Sequence, residues 1–137
     1  MPELSRLCDI VTTLRSPEGC PWDRAQTLTS LTPGIIEEAY ELVDALESGN
    51  MPHIIEECGD VLLQVVMISR IASETKLFDL GTVATAASDK MIRRHPHVFA
   101  DKTVSNVNEV LVEWESIKDL EKTTQGLMDD LPKLPAL

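Results

Sequence analysis

Positive charge is scarce in this chain. Lys and Arg number 12 against 23 Asp and Glu, which leaves a net charge of -11. That balance excludes nonspecific attachment to nucleic-acid polymers or to anionic membranes. A small anionic ligand stays compatible with it, provided that a metal and a local basic cluster offset the field. Cysteine is also sparse: Cys8, Cys20 and Cys58 are an odd number with no CxxC or Cys/His spacing. A disulfide framework and a zinc site are thereby excluded, and a reduced, cytoplasmic chain is expected. Long apolar runs are missing too. The longest, Val61 to Ile71, is interrupted by Gln64, Ser69 and Arg70 and is too short to span a bilayer. The first residues lack the cationic and apolar pattern of a signal peptide. Strand-like alternation, internal repeats and low-complexity tracts are absent as well.

What is present is helical periodicity along nearly all of the 137 residues. Leu4, Leu7, Cys8, Val11 and Leu14 form a first apolar stripe, followed by a breaker-rich loop around Gly19-Cys20-Pro21-Trp22-Asp23. A second helix is predicted from Thr32-Pro33, with Thr32 as N-cap, to about Ser48, stopped by Gly49-Asn50. A third opens near Asn50 to Pro52 and runs to about Thr75. A fourth follows Asp79 and ends before Pro96. A last one starts near Ser105 and covers Val107 to about Lys122. The segment from Leu131 to Leu137, with two prolines, is expected not to be regular helix. These elements predict an all-α antiparallel helix bundle forming one domain over residues 1–137.

Two acidic signatures stand out on these helices: Glu38-Ala39-Tyr40-Glu41 and Glu57-Cys58-Gly59-Asp60. Within each, the two carboxylates lie roughly 60° apart on a helical wheel. Gln64 falls between Glu57 and Asp60 on that wheel, one turn along. Most other positions from Ile54 to Ile68 are apolar on every side, which predicts a buried helix with a polar stripe. Carboxylates in such a setting need a compensating partner, and a hard divalent cation is the natural one. An all-carboxylate set favours Mg2+ or Mn2+ over zinc or copper. A di-iron bundle would require Glu-x-x-His, which these segments lack. Solvated charges on a helix face are the alternative. The two helices follow one another through a short turn, but the sequence leaves open whether their acidic pairs lie level or meet through a partner subunit.

The few basic residues cluster. Lys90, Arg93 and Arg94 share one face of the fourth helix, and Lys118 lies one turn after Trp114 on the last. They can hold phosphate oxygens, or Arg93 and Arg94 can simply complement a helix C-terminus. Trp22, one of two tryptophans, sits beside Asp23 and Gln26. It can stack on a nucleobase or plug the loop by packing. His95 and His97 flank Pro96 and are read as a helix-terminating turn.

Taken together, these segments resemble the MazG family of nucleoside triphosphate pyrophosphohydrolases. The matching runs are Gly19–Thr27 (GCPWDRAQT), Glu37–Asp44 (EEAYELVD), Glu56–Val66 (EECGDVLLQVV), Asp89–Phe99 (DKMIRRHPHVF) and Trp114–Lys118 (WESIK). Leu28 departs from the His or aromatic that relatives often carry, and Gly34 from their frequent Tyr. The resemblance implies an all-α homodimer that cleaves nucleoside triphosphates to monophosphate and pyrophosphate with Mg2+, in nucleotide-pool house-cleaning. It makes Glu38, Glu41, Glu57 and Asp60 the catalytic metal ligands. It gives phosphate to Lys90, Arg94 and Lys118 with Arg93 beside them, and the nucleoside to the loop of Trp22 and Gln26, with Trp114 near the substrate. Members with two tandem copies imply that this chain is one half, the N-terminal one, of a longer protein. The alternative function is a noncatalytic dimerisation or regulatory domain of such a protein.

Overall fold

A computed structural model describes residues 1–127. The expectation for Leu131 to Leu137 lies outside them. Among the described residues the fold is all-helical, with α1 (Pro2–Leu14), α2 (Pro21–Ala25), α3 (Thr32–Ser48), α4 (Met51–Glu74), α5 (Leu80–Arg94), α6 (Pro96–Phe99) and α7 (Val107–Leu127). None of these helices is long and apolar enough to cross a membrane. Of the described residues, 1–83 form one compact unit and 84–127 a second.

In the first unit, α1 and α3 both pack on α4. Val11, Leu31, Val66 and Met67 make the buried centre, with Leu4, Leu7, Ile35, Leu63, Ile68 and Ile71 around it. Val11 is fully buried, a contribution of about 1.5–3 kcal/mol relative to an exposed Val. The α3–α4 turn uses the residues that the sequence singles out. Gly49 caps α3 in the left-handed region at φ 69°, and Asn50 Oδ1 accepts from His53 N at 3.1 Å to cap α4.

Three expectations are corrected. Thr32 is not the N-cap of α3: its hydroxyl donates to Thr29 O, the turn tightens one residue earlier, and Leu31 takes the cap position. The loop after Gly19 contains the short helix α2, which starts at Pro21, and α6 follows Pro96 in the same way. The helix α4 is not buried all round. Ile55, Leu62 and Val65 are exposed on it, as are Ile36, Tyr40 and Val43 at i, i+4 and i+7 on α3.

The loop between α1 and α3 is held from inside. The guanidinium of Arg15 donates through Nε and Nη2 to both oxygens of Glu74 at 2.8 Å, and through Nη1 to the carbonyls of Gln26, at 3.1 Å, and Asp23. Gly19 presses so closely on the end of α1 that a Cβ there would run into the Leu14 and Thr13 carbonyls. In the second unit, α7 opens with Asn106 Oδ1 accepting from Glu109 N, while Glu109 Oε2 accepts from Ser105 N. This is a close variant of the capping box.

Candidate active site

The tight turn at Gly49-Asn50 sets α3 and α4 antiparallel, so residues about equally far from it face each other. Gly34 stands opposite Gln64, Glu38 opposite Asp60 and Glu57, and Glu41 opposite Glu57 and His53. The two acidic signatures are therefore level within one chain, and no partner subunit is needed to join them. Glu38, Glu57 and Asp60 each offer an oxygen within 4.8 Å of the others, and an oxygen each of Glu41 and Glu57 lies within the same distance of a His53 ring nitrogen and of each other. Glu57 belongs to both groups.

Glu57 is only 7% exposed, and its Oε2 has no hydrogen-bond partner. His53 Nε2 lies 3.5 Å from the other carboxylate oxygen, an ion pair only when the imidazole is protonated. Burial, and after it the Asp60 carboxylate, pushes the carboxyls of both Glu38 and Glu57 above their ordinary value. An anion that is shielded, crowded by like charges and left with an unused oxygen is what a bound cation would relieve. Oxygens at this spacing need only small shifts to share an ion with bonds of about 2.0–2.1 Å. The residues present fit a divalent cation. His53 was missed in the sequence, although its place one turn before Glu57 on α4 was visible there.

Next to the carboxylates, the first unit has a cavity of about 570 Å³. Trp22 and Gln26 line its rim, Leu63 and Met67 its apolar wall, and Gly34 and Gln64 the side nearest Glu38 and Asp60. Trp22 is 73% exposed, so it is no packing plug. Gln26 is committed to the loop: Nε2 donates to Trp22 O at 3.1 Å, and Oε1 accepts from Ser30 Oγ at 2.7 Å.

The candidate cations and Trp114 belong to the second unit. Lys90 is exposed and Lys118 half-buried. Arg93 Nε and Arg94 Nη2 each donate to Glu121 at 2.6 Å, which holds the Glu121 carboxyl down to about 2. Arg94 also lies 5.0 Å over the Trp114 ring, and His95 meets the same ring edge-on at 5.1 Å. His95 Nδ1 pairs with Met91 O, which accounts for it structurally. Dipole complementation at the end of α5 is thus only part of what Arg93 and Arg94 do.

The chain matches the family described as the MazG nucleotide pyrophosphohydrolase domain over residues 26–99. That span contains both acidic signatures and the basic face of α5. The chain is 48% identical over 138 residues to the uncharacterised protein YabN of Bacillus subtilis (strain 168), covering 98% of this chain and 28% of that one. It is 44% identical over 142 residues to the nucleoside triphosphate pyrophosphohydrolase of Escherichia coli (strain K12), covering 100% and 54%. The crystal structure of a mazG-related protein from Thermotoga maritima aligns with a TM-score of 0.68 at 24% identity, covering 84% of this chain and 98% of that one, a likeness of fold. The chain spans about half or less of the length of these curated relatives.

Proposed function

The chain belongs to the MazG family, and on that premise we propose that it hydrolyses nucleoside triphosphates to monophosphate and pyrophosphate with Mg2+, Mn2+ being able to substitute. The observation that carries this reading is the carboxylate cluster with its orphaned Glu57 Oε2, one helical turn from a cavity rimmed by an exposed Trp22.

Glu38, Glu57 and Asp60, with Glu41 beside them, would hold the cation. A divalent cation there supplies positive charge to the triphosphate and to the attacking oxygen. The carboxylates fix its position, and one of the glutamates takes the proton as water attacks the α-phosphorus and pyrophosphate leaves. Trp22 offers a stacking face to the base. Lys90, Arg94 and Lys118, with Arg93, are given the phosphate oxygens, and Lys does this as a point charge.

A second copy of the chain is the proposed cover for exposed apolar residues of α3 (Ile36, Tyr40 and Val43) and of α4 (Ile55, Leu62 and Val65), making a homodimer. House-cleaning of the nucleotide pool places the protein in the cytoplasm, where its three free cysteines stay reduced.

The test is a panel of ribo-, deoxyribo- and damaged triphosphates with Mg2+, following monophosphate and pyrophosphate. Release of orthophosphate alone defeats the reaction class. Glu41→Ala and Asp60→Ala should each abolish turnover while the circular dichroism stays helical; unchanged turnover in both sinks the assignment. A wild-type chain that dimerises yet turns over nothing would instead mark a noncatalytic module.

A further inference from the structure

Two glutamine amides border the cavity, and only one of them is occupied. Gln26 spends both ends of its amide on the loop, on Trp22 O and on Ser30 Oγ. Gln64 does not. Its Oε1 is shielded from solvent and accepts nothing, a costly state for an amide carbonyl. Its Nε2 lies 3.4 Å from where a Cβ on Gly34 would stand, so the missing side chain at Gly34 leaves the amide its room. Gln64 is also one turn beyond Asp60 on α4, which puts it beside the carboxylates.

The cavity thus joins an exposed indole at its rim, an apolar wall of Leu63 and Met67, and one uncommitted amide. A flat heteroaromatic ring with a donor and an acceptor side by side on its edge matches all three. We propose that Gln64, rather than Gln26, is the residue that reads the nucleobase: its Oε1 is out of solvent's reach in this conformation, so the side chain turns its amide toward the cavity, accepting one N–H and donating to one ring nitrogen or carbonyl. A primary amide can present its two ends in either order. Gln64 therefore accepts bases whose edges place donor and acceptor in either order, and disfavours a base whose edge lacks the donor. This assignment deepens the nucleotide reading above and rests on it.

The discriminating pair of ligands is adenine against purine, which keeps the ring nitrogens and lacks the amino group. Equilibrium binding of AMP and of purine riboside 5′-monophosphate, followed by tryptophan fluorescence, needs neither metal nor turnover. The wild-type chain should prefer AMP on the order of tenfold or more, as for a paired amide–adenine contact. Gln64→Leu should erase that preference by weakening AMP alone, and Gln64→Met should repeat the result if the leucine variant folds poorly. A wild type with no preference, or variants that weaken both ligands equally, overturns the assignment. Substitution of Gln26 with the same selective loss also overturns it. Steady-state pyrophosphate release from the two triphosphates runs in parallel. If the wild type turns over neither, the proposed reaction fails while the binding measurement still decides the role of Gln64.

Discussion

Arg15 is the most connected side chain of the first unit, and its removal should be measurable in both stability and binding. Its side chain is 8% exposed and that of Glu74 31%. The two bonds to Glu74 form a fork that fixes the end of α1 on the end of α4, and the remaining two tie down the carbonyls of the Trp22 loop. A fully buried pair broken on one side costs about 3–5 kcal/mol. Here Glu74 regains water when Arg15 is cut away, so its share falls to about 1 kcal/mol, as for a partly exposed pair. The two carbonyls add about 1 kcal/mol each at most, because water replaces part of what they lose. Arg15→Ala should therefore cost about 2–3 kcal/mol, or roughly 10 °C in Tm for a chain of this size. Arg15→Lys keeps the charge but not the fork, and should recover less than half of the loss.

The assay is thermal and urea unfolding at one fixed protein concentration, since any self-association makes Tm concentration-dependent. The pH dependence provides an internal check. The Arg15 guanidinium, chiefly through its hydrogen bond, holds the Glu74 carboxyl below its ordinary value of 4.5. A lowered carboxyl contributes stability that is complete above the ordinary value and is lost as pH falls through the lowered one. The gap between wild type and Arg15→Ala should thus be full at pH 7 and narrow as the medium is taken below about 4.5. In the double variant with Glu74→Ala the losses should fall short of additive by about 1 kcal/mol. A loss under about 0.5 kcal/mol, or a gap unchanged at pH 3, refutes the clasp.

Four further outcomes are expected of the same structure. Glu57→Gln should raise Tm in the absence of divalent cations, by removing a buried charge from a crowded set, and abolish the rise that Mg2+ gives the wild type; calorimetry with and without Mg2+ checks both signs. Trp22→Ala should leave stability within about 0.5 kcal/mol, since the ring is exposed, while raising KM on the order of tenfold through lost stacking. Gly19→Ala forces a Cβ into the Leu14 and Thr13 carbonyls and should cost about 1–3 kcal/mol in urea unfolding. Glu121 should stay ionised down to about pH 2 by carboxyl NMR; with its carboxyl depressed, its support is complete above 4.5 and disappears as pH falls to about 2. Titration of Glu121 near 4.5 would show that Arg93 and Arg94 do not hold it.

The helix order and most boundaries could be read from the chain because single residues set them: Gly49 needs φ 69°, Asn50 caps α4, and Pro96 halts α5. The level placement of the two acidic signatures was in principle legible too. A turn as short as Gly49-Asn50 leaves two helices little freedom, so equal distance from it is enough to pair Glu38 with Asp60 and Glu41 with Glu57. The partners of Arg15 and Gln64 could not be read in that way. Arg15 meets Glu74 across most of the first unit, and Gln26 differs from Gln64 only in what the folded loop places beside it. The misreading of α4 has a different cause. Apolar residues on every side of a helix state that every side will be covered, and they do not state by which chain. On α4 one side takes α1 and another α3, yet Ile55, Leu62 and Val65 still face outward. The same pattern that predicted burial thus becomes the argument for a second copy: a scattering measurement that found a monomer with this face exposed would leave the apolar stripe of α4 without a physical reason.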